Sequence, residues 1–83
     1  LYSEKTVIEQ LTWISGHAPL EPGETLVCKA RFRHRQPLQD VSVRLIGDDL
    51  MQIDFAEKQR AITPGQSAVL YLGQECLGGG IIR

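Results

Sequence analysis

In the stretch Leu26-Val27-Cys28-Lys29-Ala30-Arg31-Phe32-Arg33-His34-Arg35, the positions Cys28, Ala30, Phe32 and His34 alternate strictly with the cations Lys29, Arg31, Arg33 and Arg35. Successive side chains of a strand point to opposite faces, whereas a helix would scatter four charges with this spacing around its circumference. The segment therefore reads as a half-buried strand with one cationic face. Pro19, Pro22 and Gly23 mark a loop before it. Gln36-Pro37 ends it, because proline has no N–H to donate to a ladder.

The same period continues outward. Val41, Val43 and Leu45 alternate with Ser42 and Arg44, Gly47-Asp48-Asp49 signals a turn, and Met51, Ile53 and Phe55 alternate with Gln52 and Asp54, which together read as a hairpin. Thr63-Pro64-Gly65-Gln66 suits a type I or II turn, since proline pre-sets φ and glycine accepts positive φ. Ala68–Leu72 follows as an apolar strand and Gly73-Gln74 as a turn. The chain then runs through Glu75-Cys76-Leu77 and Gly78-Gly79-Gly80 to Ile81-Ile82. Near the N-terminus, Val7, Ile8, Leu11 and Ile14 fit a helical stripe, while Val7, Leu11 and Trp13 fit one face of a strand. An all-β context favours a strand over 5–12. Five or six short strands at even spacing predict an all-β fold, either a sandwich or a small antiparallel β-barrel, closed or partly open, of about six strands.

At 83 residues the chain supports one domain, 1–83, with one thin core. A 42% hydrophobic and 23% charged composition is that of an ordinary globular domain and excludes a disordered tail. No run approaches the roughly 18 apolar residues of a membrane span, and no secretory signal is present, so no membrane partner and a cytoplasmic location are expected. The chain opens on Leu1 and its one methionine is Met51, so the expectation is a domain cut from a longer protein whose catalytic centre lies elsewhere. Two cysteines are too few for a disulfide lattice, although a single Cys28–Cys76 bridge stays open.

Charge is concentrated. Net charge is −1, yet Lys29, Arg31, Arg33 and Arg35 leave only five cations against ten acids in the rest of the chain. Spaced about 6.6 Å apart on one strand face, these four are candidate phosphate contacts, and arginine's planar fork suits phosphate oxygens. Arg44 also faces outward and widens the patch if its strand pairs alongside. A merely solvated face is the competing reading, with even weight. Metal binding is excluded for Cys28 with His34, which lie roughly 20 Å apart along the strand, whereas zinc ligands converge within about 2.0–2.3 Å of one ion. Cys28 faces the core and Cys76 sits beside Glu75, so neither suits a catalytic thiolate. Gly78-Gly79-Gly80 has no following lysine or helix and fits a bulge or close backbone approach better than a phosphate loop.

Three segments carry a resemblance. Leu11-Thr12-Trp13-Ile14-Ser15-Gly16 is similar to an L-N-W-I-S-G motif, and Arg31-Phe32-Arg33-His34-Arg35-Gln36 to K-I-R-Y-R-Q. Phe55, then Gln59-Arg60-Ala61-Ile62-Thr63-Pro64-Gly65-Gln66-Ser67, Tyr71 and Cys76-Leu77-Gly78-Gly79-Gly80 are similar to F-x-x-P-Q-R-A-V-T-P-G-Q-S…Y…C-L-G-G-G. In this order they resemble the C-terminal domain of the bacterial tRNA-specific 2-thiouridylases. Lys58 stands where that family often has proline, and His34 where it often has tyrosine.

The resemblance implies a small barrel like domain 2 of translation elongation factors, helping to hold tRNA inside an enzyme that replaces the 2-oxygen of the wobble uridine with sulfur. It implies that the parent enzyme uses ATP with Mg²⁺ and works with sulfur-relay proteins. The ATP site and catalytic cysteines are implied to lie in a separate domain of the parent chain, docked beside this one together with a central domain. No Ser-Gly-Gly-x-Asp-Ser loop occurs here, so no catalytic residue, cofactor or metal is expected in this chain. The family's older label as a tRNA methyltransferase finds no support in these residues. The RNA-contact candidates are thus Lys29, Arg31, Arg33, Arg35 and Arg44, with Arg60 added by the motif, where it instead could brace the turn. The alternative is a barrel that docks on other protein domains and does not touch RNA.

Overall fold

Six strands account for most of the chain: β1 (Tyr2–Trp13), β2 (Leu26–Arg31), β3 (Gln39–Gly47), β4 (Leu50–Arg60), β5 (Ser67–Leu72) and β6 (Glu75–Ile82). The structure, a computed structural model, describes residues 2–32, 36–60 and 62–83, with backbone alone for Tyr2, Ser3, Gln59 and Arg60. Every neighbouring pair is antiparallel, and the order β1-β4-β3-β2-β5-β6 returns on itself to close a barrel. Closure removes the unpaired edges that so short a sheet would otherwise expose. The barrel is therefore the outcome, not the sandwich.

The alternation is realised as expected from Cys28 onward. Cys28, Ala30 and Phe32 point inward with Val41, Val43, Met51, Ile53, Ala68, Leu70 and Ile82, all buried. Phe32 and Phe55 meet edge to face with centroids 5.3 Å apart, the favoured geometry for an aromatic pair. Phe55 and Trp13 are only partly buried, packed against this core and not within it.

The helix-like pattern near the N-terminus has a physical cause. β1 is a strand throughout, but its register with β6 shifts between Glu9 and Thr12, where Gln10 takes a positive φ of 54°. A bulge inserts one residue and changes which side chains face inward. Ile8 is inside before it, and Leu11 and Trp13 pack inward after it. The bulge leaves the Leu11 N–H without a ladder partner, and it donates instead to Asp49 Oδ1 at 2.6 Å, across from the β3–β4 turn.

The triple glycine sits inside β6, squeezed between β1 and β5. A Cβ on Gly78, Gly79 or Gly80 would collide with the carbonyl oxygens of Thr12, Ala68 and Glu9, respectively. These glycines are therefore what lets three strands approach closely at the seam that closes the barrel.

Antiparallel connectivity gives the barrel two distinct ends. At one lie Arg31, the start of β3, the ends of β4 and β6 and the Thr63-Pro64-Gly65-Gln66 turn, where Gln66 N–H donates to Thr63 O at 3.2 Å and Gly65 has φ 91°. At the other lie Trp13, the loop 14–25, and the β3–β4 and β5–β6 turns. Leu20, from that loop, plugs the second end of the core.

Candidate nucleic-acid interface

Three of the six candidates, Lys29, Arg31 and Arg44, are described by the structure, and these three do not form one patch. Lys29 and Arg31 both face outward from β2, but their surroundings differ. Lys29 pairs in register with Asp40, and its Nζ donates to Asp40 Oδ1 at 2.9 Å, with the two side chains 48% and 68% exposed. An exposed pair of this kind contributes at most about 1 kcal/mol to stability. It does, however, cancel the charge that Lys29 would offer to a phosphate.

Arg31 is half-buried and makes no ion pair among the described residues. Its guanidinium carbon lies 5.6 Å from the centre of the Tyr71 ring, a cation–π contact reaching across to β5. Its Nε is buried and finds no acceptor among the described residues. Unlike an arginine extended into water, this one is held in place by an aromatic face, so less side-chain freedom is lost when an anion is bound.

Arg44 is exposed, and its strand does pair alongside β2, but the register separates it from the others. Lys29 is level with Asp40, four residues away from Arg44 on β3, and Arg31 lies two residues further in the opposite direction. The offset from Arg31 is roughly 20 Å along the sheet. Arg44 therefore does not widen the patch. β2 also ends at Arg31, short of the expected Arg35; Arg33 and Arg35 lie outside the described residues, as does the Arg60 side chain at the end of β4.

Sequence reading missed Asp40 and Tyr71. Asp40 lies just beyond the acid-free interval Lys29–Gln39, and only the β2–β3 register turns it toward Lys29. Tyr71 faces outward from Ala68–Leu72, a run too apolar to show which of its residues meets β2.

The glycines are not a phosphate cradle. Gly78–Gly80 lie within a ladder whose neighbours on both sides would collide with any added carbon. A nucleotide-binding loop needs free N–H groups in a turn ahead of a helix, which this strand ladder does not offer. Nor do the described residues group three His, Cys, Asp or Glu side chains in a way that would hold a metal ion.

Both cysteines are free, which settles the bridge left open by the sequence. Burial pushes the Cys28 thiol up from 9.0 to about 11, so it stays protonated at neutral pH. One equivalent of a thiol-alkylating reagent is therefore expected to label half-buried Cys76 in the native protein, and a second only after unfolding in urea. The same shift carries a pH dependence. Above pH 9 the unfolded chain releases the Cys28 proton while the folded chain keeps it, so stability is full below 9 and declines as pH rises toward 11. Urea melts at pH 8 and 10.5 are expected to show this decline in the wild type and a smaller one in Cys28→Ala.

Comparison with known proteins accords with this architecture. Over 82 residues the chain is 49% identical to the tRNA-specific 2-thiouridylase MnmA of Methylococcus capsulatus and 43% identical to that of Bacillus subtilis, covering 99% of this chain in each case. It is 48% identical over 83 residues to the tRNA-specific 2-thiouridylase MnmA of Actinobacillus succinogenes. The chain spans about a fifth of the length of these curated relatives, 22%, 22% and 21% respectively. The profile of the Aminomethyltransferase beta-barrel domain matches residues 3–82, nearly every position of the six strands, and the chain belongs to that domain family.

Proposed function

We propose that this barrel is the tRNA-holding accessory domain of a tRNA-specific 2-thiouridylase, contacting the RNA backbone and leaving the chemistry to other parts of the enzyme. The observation that carries this reading is Arg31, without an ion pair among the described residues and laid on Tyr71, at the head of the Arg31-Phe32-Arg33-His34-Arg35 run. The relatives are tRNA-specific 2-thiouridylases, which makes tRNA the substrate class of this reading. In the whole enzyme, ATP with Mg²⁺ activates the wobble uridine in the catalytic domain, sulfur-relay proteins deliver the sulfur, and the reaction takes place in the cytoplasm. Phosphate contacts fix position without reading sequence, so this barrel orients the tRNA and base selection lies with the other domains.

The structure suggests a test that strengthens binding instead of weakening it. Asp40→Asn frees Lys29, and unmodified substrate tRNA is expected to bind this variant about two- to five-fold more tightly at low salt, equivalent to one exposed charge interaction of about 0.4–1 kcal/mol. Binding by neither form would support the protein-docking alternative.

A further inference from the structure

The end of the barrel remote from Arg31 carries an open groove of about 570 Å³. Leu11, half-buried Trp13, Leu45 and Ile46 form its walls, with Asp48 and Asp49 on the rim. Ile46 is 45% exposed, a large aliphatic side chain turned to solvent at the groove mouth. The surrounding charge is of one sign. Glu21, Glu24, Asp48, Asp49 and Glu75 are all exposed in the loops of this end, whereas segments 13–26, 45–50 and 72–77 contain no lysine or arginine. Arg44, on the side wall, is the nearest cation along the chain.

Apolar walls with an acidic rim repel a polyanion and complement an apolar anchor flanked by cations. We infer that this groove docks a polypeptide segment in which one or two aliphatic side chains sit between lysines or arginines. The inference concerns a different end of the barrel from the proposed RNA contact and stands independently of it. Asp49 is committed to the Leu11 N–H, so Asp48 is the rim carboxylate free to meet the incoming cation. The anchor lies along Trp13 and Ile46.

Trp13 is the only tryptophan in the chain and reports directly on the groove. The capped pentapeptide Arg-Leu-Leu-Lys-Arg is titrated against the 83-residue protein while Trp13 emission is followed, with Glu-Leu-Leu-Glu-Glu as the charge-reversed control. The expected result is a saturable blue shift with the basic peptide and about ten-fold weaker binding of the acidic one, as two exposed charge interactions would give. Asp48→Lys is expected to abolish the preference, and Ile46→Ser to weaken the basic peptide while leaving the fold intact by circular dichroism. No saturable shift at millimolar basic peptide, equal binding of the two peptides, or an unchanged preference in Asp48→Lys overturns the inference. So does a shift produced by raising protein concentration alone, which would make a second copy the occupant, or the same blue shift of Trp13 produced by tRNA in the absence of peptide.

Discussion

Gly79→Ala is expected to destabilise the barrel by at least about 3 kcal/mol, lowering the melting midpoint by roughly 12 °C or more. The added Cβ and the Ala68 carbonyl oxygen claim the same space. That oxygen belongs to the backbone of a paired strand, so it cannot swing away as a flexible side-chain end would. Relief requires opening the β5–β6 ladder, and in a closed barrel a displaced strand disturbs the pairing on its other flank as well, here β1. A chain of this size has a total stability of only about 4–12 kcal/mol, so the substitution takes a large share of it. Gly73→Ala is the control: φ there is 61° but nothing lies within 4 Å of the added carbon, so only about 1 kcal/mol of backbone strain is expected. Thermal melts by circular dichroism make the comparison. A Gly79→Ala protein melting as the Gly73→Ala protein does would show that the seam does not depend on the missing side chain.

The second large effect concerns RNA. In the double variant Arg31→Glu, Arg33→Glu, affinity for substrate tRNA is expected to fall about 100-fold or more, since each lost charge-assisted phosphate contact costs about 1.5–3 kcal/mol. Loss of the Arg31–Tyr71 contact at this half-buried position destabilises the fold by about 1–2 kcal/mol, less than the chain's total stability, so the variant remains folded and the measurement interpretable. Arg31→Lys separates geometry from charge. Lysine keeps the positive charge but lacks the planar fork that lies on Tyr71 and pairs with two phosphate oxygens, so its affinity is expected to fall between the wild type and the reversal. Binding curves by filter retention or anisotropy supply the numbers, and an unchanged affinity in the double variant would remove the basis for the RNA reading.

The strands were legible from the sequence because period-two alternation is local information. Cys28, Ala30 and Phe32 announce their inward face whatever pairs with them. The glycine run was legible as a close approach for the same reason, since a strand without side chains has few other uses. What the sequence hid was register. The Lys29–Asp40 pair depends on how β2 and β3 slide past each other, and a shift of one residue would turn Asp40 to the other face. Arg44 illustrates the converse: its strand is adjacent, but the same register carries it out of the patch. In β1 the bulge at Gln10 broke the period, so two half-strands of opposite phase looked like part of a helix. The groove was equally hidden, because Trp13, Ile46 and Asp48 come together only when the ends of β1 and β3 meet at the same rim.

The central proposal is that Arg31 and the cationic run it heads hold the backbone of tRNA. Its most direct test is the salt dependence of binding between this chain and unmodified substrate tRNA. With Lys29 neutralised by Asp40, the contacts that remain are Arg31, Arg33 and Arg35, and three phosphate contacts predict a log–log slope of about −2 to −3. Absence of binding even at low salt, or a slope that the Arg31→Glu, Arg33→Glu variant leaves unchanged, would contradict it.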